Sequence, residues 1–195
     1  MSRAAISWGG AFLLCLLCLA LPARAGGFSA EVARVNDGDT LTIHYQGKTE
    51  LVRFIGVDAP ETSHSKSLAR KAKNAGRSAT QDAHAGAASR EALLAMVAVG
   101  DTVRLKDGRP QSHKRDRYGR LLAFVYIADG RMLNQEMIAQ GWAKAYRSFN
   151  YQHKSAFLDA ESEARWERRG LWAPGGAFYL ERRTGDTPFR LNSKP

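Results

Sequence analysis

The chain has 195 residues and a formal net charge of +10 at neutral pH, from 29 lysines and arginines against 19 acidic residues. This length fits one domain with a sizeable core. The basic balance favours a polyanionic partner such as nucleic acid or an anionic membrane surface, although solubility alone also explains it. The two cysteines, Cys15 and Cys18, lie near the N-terminus, so the remaining chain excludes disulfide and thiol chemistry.

The N-terminal segment has the pattern of a secretory signal peptide. Arg3 precedes an apolar run over residues 11–21, and the small residues Ala23 and Ala25 follow it. The apolar run has about eleven residues, whereas a membrane-spanning helix needs roughly 20. We therefore expect residues 1–25 to be cleaved, which would leave a secreted or periplasmic protein without stable membrane insertion.

The first half of the remaining chain is patterned as short β-strands. Apolar and polar residues alternate there, and glycine-containing pairs at 37–38 and 46–47 mark tight turns. Two further strand patterns occur later in the chain. The predicted strands are 30–35, 40–45, 50–55, 102–106 and 121–127. Short strands joined by short turns are typical of a small barrel.

Helical patterns lie between and after the strands. The predicted helices are 89–99, 133–140 and 152–169, and each stops at a glycine. Helices segregated from runs of strands favour an α+β fold over an alternating α/β sheet. We therefore predict a five-stranded oligonucleotide-binding-type (OB-fold) β-barrel with about three packed helices. The domain is expected to cover residues 26–172, followed by a C-terminal tail over residues 173–195.

A basic segment, residues 63–88, follows the third predicted strand. It carries five lysines and arginines and almost no large apolar side chain, which predicts an exposed loop. Its charge could contact a phosphate backbone, and an ordinary solvated loop is the alternative.

Three short segments carry the candidate chemistry, at residues 35–40, 52–62 and 116–120. Each of them alone is explained by a polar turn at a strand end. Together they supply carboxylates for a metal, a base and two phosphate clamps, which is the set that phosphodiester hydrolysis requires.

The carboxylates and guanidiniums of these segments have separate predicted roles. Asp39 and Asp58 are hard oxygen ligands suited to calcium or magnesium. Glu61 could deprotonate an attacking water or only orient it, and the residue pattern leaves both roles open. Arg53 and Arg120 could hold phosphate oxygens bidentately and stabilise the charge that grows in the transition state.

These segments resemble those of the staphylococcal nuclease (thermonuclease) family. The resemblance extends from about Val32 to Trp172 and includes the stretches 140–144 and 170–172. It implies an oligonucleotide-binding-type barrel with helices, calcium (Ca2+) as cofactor, and DNA and RNA as substrates. It also implies endonucleolytic cleavage to 3′-phosphorylated products.

The resemblance implies a role for each matching position. The implied calcium ligands are Asp39, Asp58 and the backbone carbonyl of Ala59. The implied catalytic set is Arg53, Glu61 and Arg120. Tyr118 would hydrogen-bond the terminal phosphate, and Tyr146 would pack against the base.

Two departures from the family pattern affect these expectations. The type member has threonine where this chain has Ala59, which is a mild change because the implied contact is a main-chain oxygen. Residues 147–149 stand where the type member has a second tyrosine, so base preference stays open.

Other classes of protein explain fewer features of the chain. A nucleic-acid-binding module that has lost catalysis would lack one of the assigned carboxylates or arginines, and all five are present. A cationic protein attached to anionic lipid or polysaccharide would explain the charge but not the placed carboxylates. The histidines lack paired spacing, which disfavours zinc. We expect a monomer, with Trp142, Trp166 and Trp172 in the core.

Overall fold

The computed structural model describes residues 27–62, 79–106 and 115–179. Within these ranges the strands are β1 Phe28–Asp37, β2 Thr40–Tyr45, β3 Lys48–Phe54, β4 Val57–Asp58, β5 Thr102–Lys106, β6 Leu121–Tyr126 and β7 Lys144–Ala145. The helices of the same ranges are α1 Ala79–Leu94, α2 Leu133–Ala139 and α3 Lys154–Trp166, and a short 3-10 helix covers Gly170–Trp172.

A closed barrel forms in the described part of the chain, with the strand order β1, β2, β3, β6, β5. Neighbouring barrel strands are antiparallel except for β3 and β6, which run parallel. Strands β4 and β7 pair separately as a two-stranded sheet. The barrel and the helices of the described ranges confirm the predicted α+β architecture of the oligonucleotide-binding type.

Alternation along the strands places apolar side chains inside the barrel. The fully buried strand residues include Val32, Leu41, Ile43, Val52, Val103, Leu105 and Val125. Outside the barrel, α2 packs against β6, and α3 packs against α2. Because such interiors are close-packed, they hold the strand ends, and the turns that carry the candidate residues, in defined positions.

Helix α1 begins earlier than the sequence predicts. The predicted helix covered 89–99, whereas the observed helix is Ala79–Leu94, so the expectation of an exposed loop is wrong for residues 79–88. The buried small residues of this stretch include Ala83, Ala85 and Gly86. Close backbone packing buries them without any large apolar side chain that a periodic pattern would reveal. The remainder of the basic segment, residues 63–78, lies outside the described residues.

The packed domain extends past the boundary expected at residue 172. Phe178 is buried, and its ring centroid lies 4.8 Å from that of Trp172. The amide of Phe178 also donates to the carbonyl of Leu171 at 2.9 Å. The segment expected to be a tail therefore begins as part of the fold. Residues 1–26 and 180–195 lie outside the described residues.

The tryptophans divide between the core and the surface. Trp172 is completely buried and Trp142 packs against the core, as predicted. Trp166 is 64% exposed at the last position of α3, so the expectation of core packing is wrong for this residue. The reason is helical phase, because Ala160 and Ala164 face the core and a residue two positions beyond Ala164 points away from that face.

Asn134 is a buried polar residue at the start of α2 that no sequence motif marks. Its Oδ1 accepts a hydrogen bond from the amide of Val125 at 2.9 Å. Its Nδ2 donates to the carbonyls of Ile55 at 2.9 Å and Ala123 at 3.1 Å. The side-chain amide therefore ties α2 to β6 and to the chain that leads into the candidate residue Asp58.

Replacing Asn134 with alanine is expected to lower the free energy of unfolding by about 3 kcal/mol, because buried backbone groups lose their partner and a small cavity opens. Urea denaturation followed by circular dichroism measures this change. Gln135→Ala, at the exposed neighbouring position of α2, is the matched control and should change the free energy by less than about 0.5 kcal/mol. Equal effects of the two substitutions would contradict the role of Asn134.

Candidate active site

Asp39 lies in the tight turn between β1 and β2 and is 4% exposed. Its Oδ2 accepts a hydrogen bond from the amide of Ala59 at 2.8 Å, and its Oδ1 accepts one from the Thr40 hydroxyl at 3.0 Å. The guanidinium of Arg53 forms an ion pair with the same Oδ2. The fold thus brings three of the predicted site residues, Asp39, Arg53 and Ala59, into direct contact.

Strand register explains why Arg53 meets Asp39. Arg53 of β3 is paired with Thr40 of β2, directly after Asp39, and the amide of Phe54 donates to the Asp39 carbonyl at 2.9 Å. The side chains of the ion pair are 18% and 6% exposed for Arg53 and Asp39. Opposite charges held this far from water interact more strongly than a surface pair, and removal of either one leaves an uncompensated charge.

Asp37 is a second carboxylate beside Asp39, to which the motif assigned no role of its own. Burial, and after it the negative charge of Asp39, raises the pKa of Asp37 to about 7, although Arg53 acts in the opposite direction. The amide of Asp39 donates to Oδ1 of Asp37 at 3.2 Å. Two neighbouring carboxylates repel each other when both are ionised, so they favour sharing a proton or binding a cation. In the sequence, this pair is marked by two aspartates that flank Gly38.

Asp58 and Glu61 lie on the chain that leaves the barrel through β4. Asp58 ends β4, is half-buried and pairs with β7. Chain continuity places it next to Ala59, whose amide is bonded to Asp39. Glu61 follows two residues later, is half-buried, and its backbone lies against Gly86 of α1. Asp58 and Glu61 therefore lie on the same short stretch of chain whose Ala59 amide bonds to Asp39.

The turn before β6 aligns Arg120. Oδ2 of Asp116 accepts from Nε of Arg120 at 2.7 Å, and Oδ1 accepts from the amides of Tyr118 at 2.9 Å and Arg120 at 3.0 Å. Burial alone would raise the pKa of Asp116, but the hydrogen bonds from Arg120 and Tyr118 outweigh it and lower the pKa. Asp116 is therefore ionised at neutral pH and fixes the direction of the Arg120 guanidinium. Asp116 has no predicted role in the sequence analysis.

The parallel pairing of β3 and β6 brings the candidate arginines to neighbouring strands. Arg53 is paired with Leu122, and Arg120 lies two positions before Leu122, which corresponds to roughly 7 Å along the strand direction. Both arginines are therefore presented by adjoining parts of the barrel, although they are far apart in the chain.

The candidate tyrosines have different surroundings. Tyr118 is 68% exposed, its hydroxyl accepts from Nη2 of Arg117 at 2.7 Å, and Arg120 lies over its ring at 5.5 Å. Tyr146 is half-buried, and its ring centroid is 5.0 Å from that of Phe149 in a tilted arrangement. Tyr118 thus stands beside a candidate phosphate clamp, whereas Tyr146 belongs to an aromatic pair.

The predicted ligands of a metal ion are Asp39, Asp58 and the Ala59 carbonyl. Within the described ranges, no group of three or more His, Cys, Asp or Glu side chains is arranged to hold a metal ion. The donor atoms are nevertheless hard oxygens, which calcium and magnesium prefer. Asp37 lies beside Asp39, whose negative charge is, after burial, the second cause of the raised pKa of Asp37, and a hard cation would offset that charge. The chemistry of the donors therefore fits such an ion.

The described residues form a closed barrel of the oligonucleotide-binding type. At its strand ends the barrel carries the buried carboxylate of Asp39 and the aligned guanidinium of Arg120. This fold and site indicate a nuclease-like protein. The chain belongs to the family described as Staphylococcal nuclease homologue, whose family model matches residues 51–174. This membership confirms the resemblance that the motif segments indicate.

Similar proteins carry names that agree with this family. An "Uncharacterized endonuclease" of Escherichia coli O157:H7 is 31% identical over 160 residues, which cover 82% of this chain and 87% of that protein. "Endonuclease YncB" of Bacillus subtilis (strain 168) is 29% identical over 147 residues, 73% of this chain and 61% of that protein. "Endonuclease YhcR" of the same organism is 31% identical over 157 residues, 77% of this chain but 12% of that protein. Together with the family, these similarities support a nuclease.

Proposed function

We propose that the chain is an exported, calcium-dependent endonuclease that hydrolyses phosphodiester bonds in DNA and RNA and leaves 3′-phosphorylated products. The observation that carries the proposal is the buried Asp39–Arg53 ion pair, bonded to the Ala59 amide. In the turn before the neighbouring strand β6, Asp116 aligns Arg120. A candidate metal ligand thereby contacts one candidate phosphate clamp, a second clamp is aligned nearby in the barrel, and family membership supports the nuclease chemistry.

Asp39, Asp58 and the Ala59 carbonyl would hold the calcium ion. When bound, the ion polarises the phosphate and offsets its negative charge. Arg53 shares the carboxylate of Asp39, so a cation there would compete with the guanidinium for the same oxygen. The competition would leave Arg53 able to donate to a phosphate oxygen instead.

The remaining candidate residues act on water and phosphate. Glu61 would accept a proton from the attacking water, or orient that water, from its half-buried position. Arg53 and Arg120 would donate to the non-bridging oxygens and stabilise charge in the transition state. Tyr118, exposed beside Arg120, would hydrogen-bond the terminal phosphate, and Tyr146 would pack against a base.

Charge supports nucleic acid as the partner, because a net charge of +10 favours contacts with phosphates, each of which releases counterions. Among the described residues, no helix is both long and apolar enough to cross a membrane. Export after cleavage at residue 25 and a monomeric state belong to the proposal, and the N-terminal pattern supports the export. Cell fractionation with N-terminal sequencing of the recovered protein tests the cleavage, and light scattering tests the monomer.

Calcium removal is the experiment that tests the proposed function. Purified protein is expected to cut single-stranded DNA, duplex DNA and RNA with calcium and to lose this activity in excess chelator. Asp39→Asn should raise the calcium concentration needed for half-maximal activity, because the side chain keeps its shape but loses its charge. Gel electrophoresis measures the cleavage, and end-labelling of the products identifies a 3′-phosphate.

The matched control for Asp39→Asn is Asp129→Asn, at an exposed carboxylate paired with Arg131. This variant should keep the parent's calcium requirement. Full activity in excess chelator would contradict the metal assignment, and binding without cleavage under every condition would favour a nucleic-acid-binding module.

A further inference from the structure

Helix α1 packs against both loops that carry candidate acidic residues. Gly86 is buried against the backbone of Glu61, and Gly38, in the turn before Asp39, is buried against Ser89. Gly86 and Ser89 are three residues apart and therefore lie on the same face of the helix. One face of α1 thus contacts the loop of the candidate base and the loop of the candidate metal ligand.

No side chain fits at Gly86. A Cβ atom there would overlap the carbonyl oxygen of Glu61, and it would lie 2.5 Å from the Glu61 carbonyl carbon and 2.8 Å from the nitrogen of Thr62. These are backbone atoms, which cannot rotate away as the end of a flexible side chain can. A larger residue would therefore force the helix and the Glu61 loop apart.

Side-chain hydrogen bonds hold the helix against the rest of the fold. The Ser89 hydroxyl donates to the carbonyl of Trp142 at 2.9 Å, and Nε of Arg90 donates to the carbonyl of Val35 in β1 at 2.9 Å. A Cβ at Gly38 would also overlap the Ser89 hydroxyl, so the helix already lies in close contact with the β1–β2 turn. We therefore expect a side chain at residue 86 to displace the Glu61 backbone that it would overlap.

We propose that Gly86 is a positioning residue for Glu61. Its missing side chain lets the Glu61 backbone lie against α1, and this contact sets the distance between the Glu61 carboxylate and Asp39. The inference rests on the proposed function, in which Glu61 acts on the attacking water. A displacement of about 1 Å at a reacting group can cost on the order of 10²-fold in rate.

The test begins with Gly86→Ala in the full chain. We expect kcat to fall by about 10- to 100-fold while KM stays close to that of the parent, because binding does not depend on the position of Glu61. Alanine is favoured over glycine in a helix interior, so helix propensity by itself predicts no loss. Ala87→Gly, at an exposed position of the same helix, is the matched control. The double variant Gly86→Ala/Ala87→Gly keeps the composition of the helix and should be as slow as Gly86→Ala.

A double-mutant cycle with Glu61→Gln separates positioning from a general structural effect. Once the carboxylate is gone, Gly86→Ala should slow the reaction by no more than about threefold further, because there is no base left to displace. An equal loss in both backgrounds would overturn the proposal. Activity of Gly86→Ala within about twofold of the parent would also overturn the proposal, because displacing a positioned base should cost more than this.

The outcomes also distinguish this inference from the proposed function. If Glu61→Gln retains the parent's rate, the role of Glu61 fails and the positioning role fails with it. If Glu61→Gln is slow and Gly86→Ala is not, only the positioning role fails. Rates are expressed per folded molecule, measured by circular dichroism. A Gly86→Ala variant that does not fold would show that the contact serves folding, and it too would overturn the proposal.

Discussion

Glu61→Gln is expected to cut a short oligonucleotide on the order of 10² to 10⁴-fold more slowly than the parent at saturating substrate and calcium. The substitution removes the base but keeps the size of the side chain and its ability to hydrogen-bond. Its half-buried position and its backbone contact with α1 should therefore persist. Single-turnover rates measure the chemical step, and fluorescence anisotropy should show nearly unchanged binding.

The control for this substitution is Glu91→Gln, at an exposed carboxylate on α1 that pairs with Arg90. It should leave the rate unchanged. If Glu61→Gln cleaved within about twofold of the parent, the catalytic role of Glu61 would be wrong, because a positioned base contributes far more than this.

Arg120→Lys is expected to lower kcat by on the order of 10²-fold, which corresponds to about 3 kcal/mol of transition-state stabilisation. Lysine keeps the positive charge but lacks the planar fork that holds two phosphate oxygens, and it also lacks the Nε that Asp116 orients at 2.7 Å. Binding should suffer less than kcat, because the guanidinium is expected to act most strongly as charge grows at phosphorus. Steady-state kinetics with separate kcat and KM values measure this difference.

Two variants in the same turn sharpen the interpretation of Arg120→Lys. Arg117→Lys changes an exposed arginine that contacts the Tyr118 hydroxyl, and it should leave kcat close to the parent's value. Asp116→Asn keeps the Arg120 guanidinium but weakens its alignment, so its kcat should fall between that of the parent and that of Arg120→Lys. Equal kcat values for Arg120→Lys and Arg117→Lys would contradict the assignment of Arg120 as a phosphate clamp.

The motif segments predict which residues belong to the candidate site, but they do not predict how these residues are arranged in space. Residue type and spacing select Asp39 and Arg53, and the family resemblance adds Ala59 and implies the roles of all three. Their contact, however, depends on the register that pairs Arg53 with Thr40 and on the hydrogen bond from Ala59 to Asp39. A strand register involves two segments at once, so no pattern within either segment specifies it.

The supporting residues escape prediction for a different reason. Asn134 and Gly86 act through contacts with backbone groups far away in the chain. Asp116 acts through the side chain of Arg120 in the same turn, and aspartate is an ordinary residue in a turn. Gly86 is the hardest of the three to predict from the sequence, because the stretch around it contains small residues that are buried by close helix packing. Periodicity detects large apolar side chains on one face, and such a stretch has none to detect.

By itself, the sequence determined the barrel strands, the candidate site residues and the family of this protein. Alternation and turn glycines specify the barrel strands, and the motif residues specify carboxylates, arginines and the family, because each of these signals is contained within a few consecutive residues. Only the tertiary structure decided that the parallel pairing of β3 and β6 places Arg53 and Arg120 on neighbouring strands, and that α1 backs the loops of Asp39 and Glu61. These contacts join residues far apart in the chain, and they arise when the barrel closes and the helices pack against it.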